Sequence, residues 1–119
     1  MARKEVAFVN AAIRRRQISL LQRDPRGPSL PALDDGEAST IRAALAHGPA
    51  ALVILDELSA RKAARRLGLH CTGTAGVIVE ARRARLIVAV RPLFKRLADS
   101  GFHLSPDLVA AILIELGED

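Results

Sequence analysis

One short segment of this sequence leaves little choice of local structure. Ala51 to Leu55 is a continuous apolar run, with Gly48-Pro49 before it and Asp56 directly after it. The run is too short for a typical buried helix, and neither set of alternate positions in it is polar. Such a run is typical of a central parallel strand that is buried on both faces. A second short strand is predicted at Leu69 to Thr72.

Helices are predicted around both strands. Asp34 followed by Glu37 is a capping-box signature, so we expect a helix from Asp34 to His47. Gly68 is expected as the C′ residue of a helix from about Glu57 to Leu67. The alternation of strands and helices favours an α/β fold with a small parallel sheet flanked by helices. The other predicted helices run from Arg3 to about Gln17, from the Thr72 to Gly76 turn to about Arg85, from Pro92, and from Ser105 to Leu116.

Apolar spacing predicts which helical residues face the core. The first helix carries a stripe of Val6, Val9, Asn10 and Ile13, and the helix after Asp56 is expected to point Leu58, Ala63, Ala64 and Leu67 inward. Because the last helix is apolar nearly all round from Leu108 to Leu116, it is predicted to be buried or to form a homo-oligomer interface.

The chain is predicted to be a single domain. Residues 1–20 form its N-terminal helix, residues 21–33 a proline-rich loop, and residues 34–119 its core. Two strands make an unusually small sheet for a complete α/β domain. We therefore expect a third strand to come from a longer parent chain or from a partner, and we interpret the domain as truncated at its N-terminus.

Basic residues outnumber acidic ones, 18 to 13, which gives a net charge of +5. Most of them are arginine, which binds phosphates and carboxylates through a planar fork. RNA, DNA or an acidic protein would each suit this charge. With only three Phe and no Trp or Tyr, the chain cannot build an aromatic platform for single-stranded bases.

Cysteine and histidine usage excludes several other classes of site. Cys71 is the single cysteine, and the three histidines share no ligand spacing, so neither a zinc site nor a cysteine nucleophile is expected. The apolar runs are too short to span a membrane, and no signal-peptide core follows Met1. We therefore expect a cytoplasmic protein.

Several motifs, in order along the chain, form a family signature. They are Leu33 to Ile41, Ile54 to Ala64, Leu67 to Val77, Val90 to Leu93, and Ala98 to Ser105. From about Leu33 to its end, the chain resembles the PIN-like proteins of unknown function that are described as predicted nucleic-acid-binding proteins.

This resemblance implies an α/β nuclease fold. Nuclease members hold Mg²⁺ or Mn²⁺ with three or four carboxylates at the carboxyl edge of a parallel sheet, and many are ribonuclease toxins paired with antitoxins. Glu37 matches the Glu of the family's Gly-Glu-Ala motif, and Asp56 matches the acid after its apolar strand. The family's opening strand, with the first acid, has no counterpart before Met1. Around Val9-Asn10, where the second acid is expected, Glu5 is the only nearby carboxylate.

Each candidate site residue also has a structural interpretation. Glu37 can complete the capping box with Asp34, and Asp56 can be the N-cap of the helix that begins at Glu57. The turn Thr72, Gly73 and Thr74 can present backbone N–H groups to a phosphate or can simply begin a helix. The arginines proposed for nucleic-acid binding, which could equally form solvated surfaces, are Arg14, Arg15, Arg16, Arg61, Arg82 and Arg83.

Three functional hypotheses follow. The first is a metal-dependent ribonuclease of toxin–antitoxin type, with Glu37 and Asp56 as surviving ligands that bind Mg²⁺ or Mn²⁺ weakly or not at all. The second is a non-catalytic protein that binds RNA, another polyanion or an antitoxin-like protein through its arginines. The third is a truncated product without activity of its own.

Overall fold

The computed structural model describes residues 3–21 and 23–119. Within α1 the side chains described are those of residues 7 and 9–14. The elements, in chain order, are α1 (Arg3–Arg14), α2 (Asp35–His47), β1 (Leu52–Ile54), α3 (Leu58–Arg66), β2 (His70–Thr72), α4 (Thr74–Arg83), α5 (Arg91–Asp99) and α6 (Pro106–Glu115).

The two strands pair in parallel, in the register Leu52 with His70 and Ile54 with Thr72. One residue beyond β1, the backbone N–H of Leu55 donates to the carbonyl of Thr72 over 2.8 Å. Helix α3 connects the strands, as a parallel pair requires. The predicted α/β fold with a small parallel sheet is therefore confirmed.

One face of the sheet carries the first hydrophobic core. Val53 and Leu55, which are 2% and 5% exposed, pack with buried residues of α2 and α3. The buried members of this core, which we call the sheet core, are Ile41, Ala44, Val53, Leu55, Ala60, Ala64 and Leu69.

The prediction of a strand buried on both faces is wrong for the described residues. Leu52 and Ile54 are 62% and 54% exposed, because α2 and α3 both pack on the side of Val53 and Leu55. In the described chain the sheet has two strands, so β1 keeps one unpaired edge. The expected third strand remains a prediction.

The predicted inward face of α3 is right for Ala63 and Ala64 and wrong for Leu58 and Leu67. Ala60 and Ala64 are fully buried, Ala63 packs beside them, and Leu58 and Leu67 are exposed. Small side chains one turn apart let the helix lie close to the strands. Leu58 is the first residue of α3, and Leu67 directly follows its last residue.

A second cluster of buried residues joins α4, α5 and α6. Val79, Val90, Phe94 and Ile112 form this helical core, and Leu97, Leu104 and Leu113 pack against it. Leu108 and Ile114 of α6 are 45% and 64% exposed, so this helix is buried on one side only. An oligomer interface on α6 remains a prediction.

The C-terminal residues tie α5 to the end of the chain. The Glu118 carboxylate accepts from the backbone N–H of Val90, at 3.0 and 3.1 Å, and from that of Arg91, at 3.3 Å. These N–H groups lie at the start of α5 and lower the pKa of Glu118, with a smaller contribution from Arg82.

The N-terminal region differs in extent from its prediction. Helix α1 ends at Arg14, and Arg16 adopts a positive φ of 59°. Val9 and Asn10 of the predicted apolar stripe are exposed and Ile13 is half-buried, while the side chain of Val6 lies outside the described residues.

The loop over residues 23–33 is irregular, as its prolines predict, and an ion pair joins it to α2. Arg42 Nη2 lies 2.9 Å from Asp24 Oδ2. This contact lowers the pKa of Asp24 and raises the pKa of Arg42. Among the described helices, none has the length and apolar character needed to cross a membrane.

Candidate functional site

A cleft of about 510 Å³ lies where β1 and β2 end. The carboxyl ends of parallel strands are the usual place for ligand sites in α/β sheets. The polar or small residues that line this carboxyl-edge cleft are Asp56, Arg61, Thr72, Gly73, Ala75, Gly76, Glu80, Arg83, His103 and Ser105.

Asp56 is the best-anchored acid of the cleft. Its Oδ1 accepts from the backbone N–H of Thr74 and its Oδ2 from the Thr74 hydroxyl, both over 2.7 Å. The residue therefore caps α4, which is more distant in sequence, and does not cap α3 as the local interpretation predicts. At the start of α3, the Glu57 side chain makes no capping hydrogen bond within the described residues. The parallel pairing of the strands brings the start of α4 beside the end of β1.

Arg61 reaches the same edge from α3. Its Nη1 donates to the carbonyls of Leu55, at 3.1 Å, and of Asp56, at 2.7 Å. Arg61, which the sequence assigned either to nucleic-acid binding or to a solvated surface, thus binds the backbone at the end of β1 and is half-buried. The guanidinium therefore binds the backbone carbonyl of Asp56, whereas the Asp56 carboxylate binds Thr74.

The turn into α4 leaves little room for a ligand at its first amide. Thr74 already gives its N–H to Asp56, and a side chain at Gly73 would place its Cβ 3.0 Å from Asp56 Oδ1. At Gly76 a Cβ would overlap Thr72 Oγ1. Both glycines therefore permit the close approach of β1, β2 and α4, and Thr72, Gly73 and Thr74 form a tightly packed junction.

The far wall of the cleft contains residues that sequence reasoning missed. Glu80 lines it and receives a hydrogen bond of 3.0 Å from Arg83 Nη1, while Arg83 Nη2 binds Glu115. His103 and Ser105 come from the segment before α6. The sequence signal for Glu80 was weak, since an acid three residues before an arginine is typical of a solvated helix face.

Glu37 has a different environment. Its backbone N–H donates to Asp34 Oδ1 over 2.7 Å, and its own Oε1 accepts from the N–H of Asp34 over 3.2 Å. This is the predicted capping box of α2. Glu37 does not line the cleft that contains Asp56. A shared metal site for the two acids remains a prediction.

The predicted arginines fall into three groups. Arg61 and Arg83 line the cleft, and Arg82 lies on α4 with its Nε 3.4 Å from Glu118 Oε2. Arg14, Arg15 and Arg16 are exposed at the end of α1. The structure thus brings two of the six to the carboxyl-edge cleft and leaves the basic run of α1 on the surface.

Fold and site together describe an α/β domain with an acid and guanidinium groups at the carboxyl edge of a parallel sheet. A family model described as a PIN domain matches residues 4–118. Since this is nearly the whole chain, the chain belongs to the PIN domain family, and the match also includes α1 and the loop before Leu33. No curated protein and no solved structure matches the chain.

The residues present do not fit the divalent cation that nuclease PIN domains use. Mg²⁺ requires several oxygen ligands in a near-octahedral arrangement. Among the described residues, no three His, Cys, Asp or Glu side chains converge in a group able to hold a metal ion. In the cleft, both Asp56 oxygens already accept hydrogen bonds and Glu80 is paired with Arg83. In the cleft as built, hydrogen bonds occupy Asp56 and an ion pair occupies Glu80.

Proposed function

We propose that this PIN domain binds RNA through its arginine-rich surface and cleaves it, as the isolated chain, far more slowly than a relative with four acids. Membership of the PIN family supports a nuclease-type, nucleic-acid-binding role. The observation that carries the proposal is that both carboxylate oxygens of Asp56 already accept hydrogen bonds from Thr74, while Arg61 holds the Asp56 backbone carbonyl.

Binding rests on charge. The net charge of +5 attracts a polyanion, and the exposed Arg14, Arg15 and Arg16 can each reach a phosphate. In the cleft, Arg61 holds the end of β1, and Arg83 is shared between two acids. We therefore propose Arg14, Arg15 and Arg16 at the end of α1 as the main RNA-binding residues.

Weak catalysis rests on the acids. A phosphodiester nuclease needs metal-bound water and a metal contact to the phosphoryl oxygens, which several carboxylates must support. Glu37 and Asp56 are the ligands that the family resemblance implies for Mg²⁺ or Mn²⁺, but Glu37 does not line the cleft that contains Asp56. A partner strand would therefore have to supply further acids beside Asp56, and an antitoxin-like protein is the corresponding regulatory partner in the toxin–antitoxin form of the proposal.

Salt dependence tests the binding half. A triple variant, Arg14→Gln, Arg15→Gln and Arg16→Gln, should weaken binding to single-stranded RNA and reduce the slope of log K against log salt by about 2. The matched control, Lys62→Gln, Arg65→Gln and Arg66→Gln, removes the same charge from the exposed surface of α3. Equal effects of both triples would reject α1 as the contact, and wild-type affinity that does not change with salt would reject the electrostatic mechanism.

A cleavage assay tests the catalytic half. Purified chain with Mg²⁺ or Mn²⁺ should degrade RNA only at a low rate, and added chelator should leave RNA binding unchanged. Rapid cleavage that both chelator and Asp56→Asn abolish would overturn this half and establish the chain as an active ribonuclease. Circular dichroism of the variant would show that loss of activity is not loss of fold.

A further inference from the structure

A second cavity, of about 750 Å³, lies between α5 and α6. The inference drawn from it does not depend on the function proposed above. Four residues of α5 line it, Arg91, Phe94, Lys95 and Ala98, and four residues of α6 line it, Pro106, Val109, Ala110 and Leu113. In each helix these positions are spaced i, i+3, i+4 and i+7, so a single face of each helix borders the cavity. The result is a groove, which we call the α5/α6 groove.

The shape of the groove suits one more helix. Its two walls are helices of 9 and 10 residues, or about 14 to 15 Å of wall at 1.5 Å per residue. Such a wall accommodates two to three turns of a docked helix, which is the arrangement by which amphipathic helices bind hydrophobic grooves. Val109 and Leu113 are half-buried, so their remaining exposed surface is available to a partner.

The positive charge around the groove favours a partner with acidic side chains. The ionisable residues that line it are Arg91, Lys95 and His103, and none of the lining residues is acidic. Arg91 and Lys95 are four residues apart on α5, which places their Cβ atoms about 6 Å apart along one edge. Acidic side chains at i and i+4 of a docked helix have the same spacing. We propose that the α5/α6 groove binds a short amphipathic helix with one apolar face and one acidic edge, presented by a partner protein.

A second copy of this chain is a poorer occupant. The exposed apolar side of α6, with Leu108 and Ile114, carries Asp107 and Glu115 and could in principle enter the groove of another molecule. Glu115 already binds Arg83. Such a contact would also be head-to-tail, because the groove and this side of α6 are different surfaces, and head-to-tail contacts build open chains unless the rotation closes.

Peptide selection on the full chain tests the proposal. A phage-displayed library of random 12-residue peptides would be selected against the immobilised protein, and the enriched peptides would be measured in solution. We expect enriched sequences with apolar residues at helical spacing and Asp or Glu on one edge. Peptides without this pattern, or enriched peptides whose NMR contacts lie outside α5 and α6, would overturn the proposal.

Matched charge reversals sharpen the test. Lys95→Glu should weaken the selected peptide about tenfold or more, because it opposes like charges at the rim. Arg96→Glu makes the same charge change at the next exposed residue of α5, which does not line the groove, and should leave affinity within about twofold. Equal effects of the two reversals would contradict a specific site.

Two further measurements separate the other occupants. Ala110→Trp fills the groove and should abolish peptide binding while RNA affinity is retained. Competition between single-stranded RNA and the peptide for this site would show that the groove is a nucleic-acid surface and would overturn the proposal. Self-association of the wild type that disappears in Ala110→Trp would assign the groove to a second copy and would equally overturn it.

Discussion

At the scale of single residues, the Asp56 carboxylate has a structural role at a position where the family motif predicts a catalytic acid. The residue ends the apolar run, where a catalytic acid of the family is expected, but its two oxygens bind the N–H and hydroxyl of Thr74. A carboxylate at a helix N-terminus is stabilised by the unpaired N–H groups and by the helix dipole. Asp56 therefore joins β1 to α4.

Replacing Asp56 should lower stability through this cap. We expect Asp56→Ala to reduce the free energy of unfolding by about 1 to 2 kcal/mol, the usual cost of a lost helix cap. Urea unfolding would measure it. The matched control is Glu57→Ala, because the Glu57 side chain makes no capping hydrogen bond in the described structure. Equal stability of Asp56→Ala and the wild type would show that the cap contributes nothing.

At the scale of elements, the two faces of β1 differ in burial although its sequence is apolar throughout. All of its side chains are apolar, but Val53 and the following Leu55 pack in the sheet core whereas Leu52 and Ile54 are exposed. Side chains of a strand alternate between faces, so the helices on one face cover only every second residue. The exposed residues and the unpaired edge mark the part of the described sheet where the predicted third strand would pair.

A pair of truncations measures this asymmetry. Leu55→Ala should cost about 2 to 5 kcal/mol, as for buried leucines in general, because it leaves a cavity in the sheet core. Leu52→Ala, at a site that is 62% exposed, should cost much less. Chemical denaturation of both variants provides the comparison. Similar losses would mean that the Leu52 face is covered in solution, by a strand or by another molecule.

The start of α5 depends on the charge of Glu118. Its pKa is lowered in the folded chain by the N–H groups of Val90 and Arg91. A lowered folded pKa means that the contact stabilises the fold above the unfolded pKa and is lost as pH falls through the folded pKa. Glu118→Gln should therefore destabilise the protein at about pH 7 and reduce the loss of stability between about pH 5 and pH 3.

Thermal unfolding across this pH range tests the role of Glu118. Asp119→Asn removes the same charge one residue later and should leave the melting temperature at about pH 7 unchanged. Asp24, whose pKa is also lowered through Arg42, leaves a residual acid dependence in Glu118→Gln. An unchanged acid dependence in Glu118→Gln would show that the Glu118 contact is not formed in solution.

At the scale of the whole molecule, the described residues pack in two cores. The sheet core joins β1, β2, α2 and α3, and the helical core joins α4, α5 and α6. The radius of gyration is 15.9 Å. A compact chain of this length would have about 13.5 Å. The described residues pack around two cores instead of one, and Val9, Asn10 and Arg14 of α1 are exposed, as in a less compact chain.

Two cores predict unequal local stability. Phe94→Leu, at a residue 4% exposed in the helical core, should accelerate native-state hydrogen exchange in α5 and α6 more than in β1 and α3. Leu55→Ala provides the reciprocal control, with faster exchange expected in β1 and α3. Uniform acceleration in both variants would show that the molecule unfolds as one cooperative unit.

Local signals in the sequence were sufficient for much of the fold. The capping box of Asp34 and Glu37, the loop with three prolines and the two short strands all depend on residues near one another in the chain, and the structure contains each of them. The order of strands and helices then implied the parallel sheet, because a parallel connection requires a crossover. The family motifs indicated the PIN domain because they occur in the family's order along the chain.

Only the tertiary structure decided how the site is built. Asp56 caps α4 and not α3, Arg61 turns to the end of β1, and Glu80 and His103 enter the cleft from segments distant in sequence. Each of these contacts depends on which elements lie side by side. The apolar spacing within one helix or strand does not predict which elements are neighbours. The sequence by itself determined the elements and their order, whereas packing determined the partners of each charge, because a charged side chain pairs with the groups nearest to it in space.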